Sequence, residues 1–378
     1  MENTNARQLM QQLLTLMKEQ GGSDLFITAG FAPAIKLNGM MTPVGDTILS
    51  TNDSRALVHS LMNERQQAEF AATNECNFAL AIEPIGRFRI SAFVQQAKAG
   101  MVIRTINTRI PDIDTLEVPP QLKDIVMSKR GLVIMVGATG SGKSTTLAAM
   151  IGHRNANSQG HIITIEDPVE FVHPHLRCIV TQREVGTDTA DWHVALKNTL
   201  RQAPDVILIG EIRDRDTMDH AIAFAETGHL CLATLHANNA NQALDRIVNF
   251  FPEERRAQVL MDLSLNLRAL ISQRLVPRTS GSGRCAAVEI LLNSPLISEL
   301  VFKGDVHQIK EVMKKSRELG MQTFDQALFD LVETDKISQE EALRHADSVN
   351  DLRLALKLNG RAAHAKDFSA ATANLDIL

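Results

Sequence analysis

The spacing of hydrophobic and polar residues divides the first hundred positions into helices and short strands. Leucine and methionine recur at helical spacing, which predicts an amphipathic helix over residues 7–20 that ends at a Gly-Gly pair. A second helix is predicted over residues 53–71. Short apolar runs rich in β-branched residues predict strands at 24–28, 34–37, 78–82, 86–94 and 101–106. The mixture predicts an N-terminal α+β domain over residues 1–108.

Prolines and a change of pattern mark a second domain. Three prolines interrupt both ladders and helices in a linker that we place at residues 109–120. Beyond it, strands and helices alternate, as is typical of an α/β domain with a parallel sheet, here assigned to residues 121–345. From residue 253 onward the pattern is mostly helical, and residues 346–378 form a C-terminal tail expected to be partly disordered. The predicted strands lie at 131–137, 161–166, 177–181, 205–210 and 229–235.

A glycine-rich segment between the first of these strands and a helix fits the phosphate-binding pattern G-x-x-x-x-G-K-[ST]. Its residues are Gly137, Ala138, Thr139, Gly140, Ser141, Gly142, Lys143, Ser144 and the following Thr145. Glycines let backbone N–H groups close around phosphates, Lys143 is expected to reach the β- and γ-phosphates, and Ser144 to hold Mg²⁺. The alternative, an ordinary glycine-rich turn, does not explain why a strand precedes the segment and a helix follows it. The segment therefore predicts binding of a nucleoside triphosphate.

Carboxylates follow two further predicted strands. One apolar strand ends in Gly-Glu, in place of the usual Asp-Glu of a Walker B element, and places Glu211 where ligands bind in such sheets. A second strand is followed by Glu166, Asp167 and Glu170, a cluster suited to general-base work or to contacts around Mg²⁺. The alternatives are a surface glutamate after a core strand and acids that begin a turn before Pro168.

Two histidines and two arginines are weaker candidates. His229 and His236 stand at the two ends of a core strand, roughly 20 Å apart and on opposite faces, so no shared metal site is implied. Thr234 and His236 are candidates to sense the γ-phosphate, with turn or cap residues as the alternative. Arg89 and Arg104 are strand cations that either reach a neighbour's phosphates or are simply solvated.

Composition narrows the class of protein. The 378 residues are 44% hydrophobic and 22% charged with a net charge of −5, one Trp and no Tyr, so no feature favours nucleic acid as a partner. Four scattered cysteines without a C-x-x-C pair are expected to be reduced and buried. The chain shows neither a leader pattern nor a long apolar run, which predicts a cytoplasmic protein that meets membranes only indirectly.

Taken together and in order, the motifs resemble the secretion-type (type II/IV) superfamily of hexameric ATPases, and within it the PilT/PilU family of type IV pilus retraction ATPases. The motifs lie at residues 23–25, 86–89, 137–144, 165–171, 200–205, 210–214 and 227–236. The resemblance implies an N-terminal PAS-like domain, a RecA-like P-loop ATPase domain with a helical C-terminal region, ATP and Mg²⁺ as cofactors, and a homohexamer.

The resemblance also implies roles for the acidic residues. Ser144 and Glu211 are expected at Mg²⁺, with Glu211 at Mg²⁺ or at the attacking water. Glu166, Asp167 and Glu170 match the family's acidic box, in which Glu170 is our first choice for activating water and Glu166 the second.

The remaining matches concern histidines and arginines. His229 and His236 match the family's histidine box. Arg89 and Arg104 match arginines that neutralise γ-phosphate charge when domains of neighbouring subunits close, which turns hydrolysis into domain motion.

Two departures from the family pattern shape the expected function. Ala138 stands where PilT-like members usually have proline, which a position that supplies only backbone tolerates. The retraction motif Ala-Ile-Arg-Asn-Leu-Ile-Arg-Glu is absent, and residues 296–305 resemble the PilU branch instead. The expected role is accessory to a PilT-like retraction ATPase in pilus retraction and twitching motility, beside an inner-membrane platform protein at the base of the pilus machine.

Other functions stay open at this point. An ATP-binding regulatory or adaptor ring on a PilT-like motor needs the same fold, although the intact Lys143, Glu211 and Glu170 favour an active enzyme. A secretion or pilus assembly ATPase shares the site chemistry, but commonly has a longer N-terminal region and a four-cysteine zinc insert. A nucleic-acid translocase is disfavoured by charge and by the scarcity of aromatic residues.

Overall fold

The computed structural model describes residues 3–37, 39–106 and 109–360. The chain separates into two compact units, and each is described by itself. The first comprises Met1–Arg109 with the segments Asp167–Val172 and Glu184–Asp188, and the second contains the rest. Most of the predicted C-terminal tail, from residue 361 on, lies outside the described residues.

The first unit is an antiparallel sheet with three helices. The strands follow the order β3-β2-β1-β6-β5-β4, and each neighbouring pair is antiparallel. Its elements are α1 (Asn3–Glu19), β1 (Asp24–Thr28), β2 (Ala34–Leu37), β3 (Met40–Pro43), α2 (Thr51–Ser60), α3 (Glu64–Thr73), β4 (Glu75–Ile82), β5 (Gly86–Gln95) and β6 (Lys98–Ile106).

Local sequence explains where these elements begin and end. The apolar stripe of α1 is buried against the sheet, as its spacing predicts. The single helix predicted over residues 53–71 is wrong, because Asn63 caps a new helix through a reciprocal capping box with Gln66. The prediction also missed β3, whose residues are all exposed and therefore lack the alternation that marks a half-buried strand.

The second unit is a seven-stranded sheet with helices, and it continues into helices at its C-terminal end. Its elements are α4 (Gln121–Val126), β7 (Gly131–Val136), α5 (Lys143–Asn157), β8 (Gly160–Glu166), β9 (Cys178–Glu184), α6 (Trp192–Thr199), β10 (Val206–Ile209), α7 (Arg215–Glu226), β11 (Leu230–Leu235), α8 (Ala240–Asn249), α9 (Glu253–Asn266), β12 (Leu267–Pro277), β13 (Arg284–Leu292), α10 (Pro295–Lys303), α11 (Val306–Lys315), α12 (Phe324–Glu333), α13 (Gln339–His345) and α14 (Val349–Asn359).

The strand order β13-β12-β7-β11-β10-β8-β9 brings the motifs to one edge. Strands β12, β7, β11, β10 and β8 are parallel neighbours, while β13 pairs antiparallel with β12. Strands β7, β10 and β11 are apolar and almost wholly buried, as expected for a sheet covered on both faces. Because carboxyl ends of parallel strands share an edge, β8 ends at that edge and the segments after β7, β10 and β11 start there.

The mostly helical pattern predicted from residue 253 onward is wrong for residues 267–292, which form the β12–β13 hairpin. Helix α9 ends at Asn266 and β12 starts at Leu267, with no glycine or proline between them. Most of the first ten residues of β12 are buried, so its sequence lacks the polar alternation that distinguishes a strand from a buried helix. The hairpin adds two strands beside β7, the strand that leads into the glycine-rich loop.

All four cysteines are buried and free, as the sequence predicts. Among the described residues, no helix is both long enough and apolar enough to cross a bilayer.

Candidate functional site

The glycine-rich loop connects β7 to the first turn of α5. Helix α5 begins at Lys143, so Ser144 and Thr145 lie in its first turn, where backbone N–H groups lack helical partners and the helix dipole is positive. The Lys143 ammonium donates to the backbone oxygens of Gly137 and Ala138, at 2.7 and 2.9 Å. The geometry combines a lysine cation, a helix N-terminus and a glycine-rich backbone, which is the arrangement that binds a polyphosphate.

Two glycines of the loop are required by close approach. A Cβ on Gly137 would lie 2.5 Å from Ser141 Oγ, and one on Gly142 would lie 2.7 Å from Gln273 Nε2. Both have positive φ, at +155° and +86°. Within the part of the chain that the structure describes, the buried Ser141 hydroxyl has no hydrogen-bond partner. The cradle therefore fits a phosphate group, and the hydroxyl of Ser144 is an oxygen ligand of the kind that Mg²⁺ prefers.

A glutamine on β12 supports the glycine-rich loop through hydrogen bonds. Gln273 is 2% exposed. Its Nε2 donates to Ser141 O at 2.9 Å, and its Oε1 accepts from Thr146 Oγ1 at 2.8 Å. The amide thus ties the loop to the first turn of α5. Sequence reasoning missed Gln273 because no local motif marks it, and because its strand was itself not predicted.

Glu211 and His236 meet at the same edge. Glu211 follows β10, His236 follows β11, and His236 Nε2 lies 3.1 Å from Glu211 Oε1. The other oxygen of Glu211 accepts from Arg213 Nε at 2.8 Å. A Cβ on Gly210 would lie 3.1 Å from Ile165 O, so glycine before Glu211 lets β10 and β8 end side by side. The carboxylate is three-quarters buried and doubly contacted, which orients it.

Glu166, the last residue of β8, is held by its own neighbours. Its Oε1 accepts from Thr164 Oγ1 at 2.7 Å and from Gln182 Nε2 at 3.3 Å. Thr234, one position before the end of β11, donates to Gly210 O and fixes the start of the Glu211 segment. The structure thus gives Thr234 a structural contact between β11 and the residue that precedes Glu211.

His229 lies apart from these groups. It precedes β11, whereas His236 follows it, so the two histidines stand beyond opposite ends of that strand. His229 Nδ1 lies 3.2 Å from Phe224 O and 3.0 Å from Thr227 Oγ1, at the end of α7. Of the two histidines, His236 is the one in contact with Glu211. A catalytic role of His229 stays a prediction.

The two candidate arginines belong to the first unit and are neighbours there. Arg89 on β5 is directly opposite Arg104 on β6, and Arg104 is opposite Asp24 on β1. Arg104 Nε donates to Asp24 Oδ1 at 2.8 Å, while 69% of its side chain stays exposed. Directly opposed residues project from one face of a sheet, so this row presents two guanidinium groups with one carboxylate.

Glu170 is half-buried in the segment Asp167–Val172, which clusters with the first unit. Glu184, also in that unit, accepts from the backbone N–H of Val169 at 3.1 Å and from Thr187 Oγ1 at 3.0 Å. It also pairs with Arg87. Glu184 therefore fixes the backbone next to Glu170, a contact that the sequence motif alone did not reveal.

Comparisons with known proteins agree with this geometry. A family model described as Type II/IV secretion system protein matches residues 3–344. The type IV pilus ATPase PilU of Pseudomonas aeruginosa is 60% identical over 367 residues, which cover 97% of this chain and 96% of that protein. The type IV pilus retraction ATPase PilT of the same organism is 41% identical over 335 residues, which cover 89% of this chain and 97% of that protein.

A solved structure points the same way. The crystal structure of the pilus retraction motor PilT with bound ADP matches with a TM-score of 0.84 and 37% identity, and the match covers 90% of this chain and 98% of that one. These findings confirm the family resemblance and the RecA-like α/β fold expected from the sequence. The chain therefore belongs to the Type II/IV secretion system protein family and, within it, to the type IV pilus ATPases typified by PilU and PilT.

Proposed function

We propose that this type IV pilus ATPase hydrolyses ATP with Mg²⁺ and acts as an accessory subunit in pilus retraction and twitching motility. The observation that carries the proposal is the arrangement at one sheet edge, where the Lys143 loop and the Glu211–His236 pair follow three neighbouring strands, β7, β10 and β11. A polyphosphate cradle beside an oriented carboxylate is what phosphoryl transfer to water requires.

The residues of the loop bind the nucleotide in this proposal. Backbone N–H groups from Gly137 to Thr145 surround the phosphates, and Lys143 exchanges its two backbone acceptors for phosphate oxygens. Ser144 and Glu211 are the residues that would hold Mg²⁺, which neutralises phosphate charge when bound.

Carboxylates and His236 act on the attacking water. Glu170 is the proposed base and Glu166 the second choice, because Glu166 ends β8, Glu170 lies four residues further along the chain, and each has a carboxylate that can accept a proton. His236 holds Glu211 through their 3.1 Å contact, and it is the proposed sensor of the γ-phosphate. His229 keeps its proposed place in the histidine box, although it lies beyond the other end of β11.

The mechanical part of the proposal concerns a homohexamer. Arg89 and Arg104, exposed on one sheet face, would approach the phosphates of a neighbouring subunit and neutralise their charge only on closure. The proposed domains are residues 1–108, a linker at 109–120, the ATPase domain at 121–345 and a tail from 346. Hydrolysis would thereby become motion between domains.

The accessory role rests on the C-terminal half. Residues 296–305, which differ from the PilT retraction motif, lie on α10 and at its Gly304 cap, with Leu296 and Phe302 exposed. The proposed partners are a PilT-like retraction ATPase and the inner-membrane platform protein, at the cytoplasmic base of the pilus machine. The 60% identity to PilU supports this branch over an assembly ATPase.

The proposal is tested by pilus retraction in cells that carry this chain alone, a PilT-like protein alone, or both. Each combination is repeated with Lys143→Ala and with the control Lys129→Ala, which removes an exposed lysine elsewhere in the same unit. We expect retraction force to rise only when the chain and its partner are both present, and only with Lys143 intact. Retraction by the chain alone would overturn the accessory role, and full assistance by Lys143→Ala would favour an adaptor ring instead.

A further inference from the structure

Arg274, on β12, spans two parts of the second unit. Its Nη2 donates to Asn238 O at 3.2 Å, in the loop between β11 and α8 that also carries His236. On the other side, Nη1 donates to His345 O at 2.5 Å and Nη2 to Asp347 Oδ1 at 2.7 Å. One planar guanidinium thus contacts the loop that carries His236 and the end of α13 at the same time.

A second set of contacts holds the Arg274 guanidinium on the side of the C-terminal helices. Its guanidinium carbon lies 3.9 Å from the centre of the Phe324 ring, at the start of α12. Asp347 also accepts from Lys310 Nζ at 2.6 Å, and its side chain is 9% exposed. Burial acts to raise the pKa of Asp347, but the Lys310 hydrogen bond and the Arg274 charge outweigh it, so its pKa is lowered. Asp347 is therefore a carboxylate held between two cations.

The loop that carries His236 has a second anchor on the same hairpin. Ser272, on the same face of β12 as Arg274, donates to Glu289 Oε1 at 3.1 Å. Glu289 Oε1 in turn accepts from the backbone N–H of Ala240 at 2.8 Å. The hairpin consequently holds this loop at both Asn238 and Ala240, two and four residues after the histidine that contacts Glu211.

We propose that Arg274 is a positioning residue that couples the C-terminal helices α12–α14 to the His236 loop and, through the His236–Glu211 contact, to ATP hydrolysis. The inference rests on the proposed roles of His236 and Glu211. A displacement of α13 or of Asp347 moves the guanidinium, which moves Asn238 and the loop with it. A force or partner acting on the C-terminal helices thereby gains a physical route to the rate of hydrolysis.

The experiment measures kcat, KM, fluorescent-nucleotide affinity and Tm for the assembled full-length protein. The variants are Arg274→Gln, His236→Ala and the double variant, with Arg274→Lys as a second substitution that keeps the charge beside Asp347. Arg278→Gln is the matched control, because Arg278 follows the same strand and pairs with Glu117, away from the His236 loop.

We expect Arg274→Gln and Arg274→Lys to lower kcat about tenfold, measured well below their Tm, while nucleotide affinity stays near that of the parent protein and of Arg278→Gln. The Tm of Arg274→Gln should fall, because the buried Asp347 carboxylate loses one of its two cations, and the Tm of Arg274→Lys should fall less. Arg274→Lys is not expected to restore kcat. A single ammonium group on a flexible side chain does not reproduce a planar guanidinium that contacts three acceptors. In the His236→Ala background, Arg274→Gln should add little further loss, because the two changes act through one loop.

Three outcomes overturn the inference. The first is parental kcat in Arg274→Lys or Arg274→Gln while His236→Ala is impaired, which leaves the proposed function intact. The second is a full additional loss in the double variant, which would show that Arg274 does not act through His236. The third is parental kcat in His236→Ala, which would remove the proposed role of His236 and this inference with it.

Discussion

Glu211 and His236 are separated by 25 positions in the chain, yet their side chains are in contact, with His236 Nε2 3.1 Å from Glu211 Oε1. The contact follows from topology. β10 and β11 are parallel neighbours, Ile209 is paired with Ala233, and the residues after both strands therefore emerge at the same edge. The carboxylate is held by a group that no local sequence pattern connects to it.

Replacing Glu211 with glutamine should separate nucleotide binding from hydrolysis. The amide keeps the size of the side chain and a contact to His236, but loses the negative charge for Mg²⁺ and water. We expect nucleotide affinity to change little and kcat to fall about 100-fold or more, measured by phosphate release. Glu254→Gln, an exposed glutamate on α9, is the control. A parental rate in Glu211→Gln would remove this residue from the reaction.

Gln273 should be important for the nucleotide cradle although it touches no phosphate in our proposal. Gln273→Met keeps the volume but leaves Ser141 O and the Thr146 hydroxyl without their buried partner. Each unsatisfied group costs about 1–3 kcal/mol, so Tm should fall, and nucleotide Kd should rise about tenfold as the loop loses its support. Gln308→Met, an exposed glutamine, is the control. A lowered Tm with unchanged Kd would limit Gln273 to a structural role.

Arg104 should matter more for turnover between subunits than for folding. Its pair with Asp24 joins a side chain that is 69% exposed to a carboxylate that is 6% exposed, so Arg104→Ala should lower Tm. The variant should still fold, because Ser23 Oγ continues to donate to Asp24. We expect kcat of the assembled protein to fall at least about tenfold, while nucleotide affinity of isolated subunits is retained. Asp24→Asn is the matched variant, since it breaks the same pair but keeps the guanidinium. Equal loss of turnover in both variants would show that turnover depends on the Arg104–Asp24 ion pair and not on a guanidinium that reaches the phosphates of a neighbouring subunit.

The sequence predicted local features of the site well and distant ones poorly. The residues from Gly137 to Thr145 form one continuous motif whose chemistry depends on neighbours in the chain, and the predicted strand and helix on either side are present. Glu211 followed from an apolar strand with an acid at its end. Both predictions needed only a dozen adjacent residues.

The features that the sequence did not predict depend on contacts between segments that are far apart in the chain. Gln273 and Arg274 lie on a strand buried on both faces, which has no alternating pattern and directly continues a helix. Their partners, Ser141 and Asp347, are 132 and 73 residues away. Such contacts are fixed by strand order, and one sequence alone does not give the order of strands in a sheet.

The buried carboxyl of Glu289 should make stability depend on pH. Burial raises its pKa to about 7 and the nearby Asp347 charge adds to the rise, while the hydrogen bond from Ala240 opposes it. The folded chain then binds more protons than the unfolded chain between the ordinary value of 4.5 and about 7, so stability falls as pH rises through that window. Compared with a carboxyl of ordinary pKa, the raised pKa lowers the free energy of unfolding by about 3 kcal/mol above pH 7 and leaves it unchanged below pH 4.5.

Glu289→Gln tests this dependence, because the amide oxygen still accepts from Ala240 and Ser272 but does not ionise. We expect the variant to gain Tm over the parent protein at pH 8, with the gain shrinking steadily toward pH 5. Glu254→Gln, exposed to solvent, should show no such trend. A Tm difference that is constant with pH, or that grows toward acid, would show that Glu289 is charged in the folded protein at all of these values. In that case the anchor of the His236 loop at Ala240 is a charged hydrogen bond over this whole range, and Glu289→Gln should slow hydrolysis to the same extent at pH 5 and at pH 8.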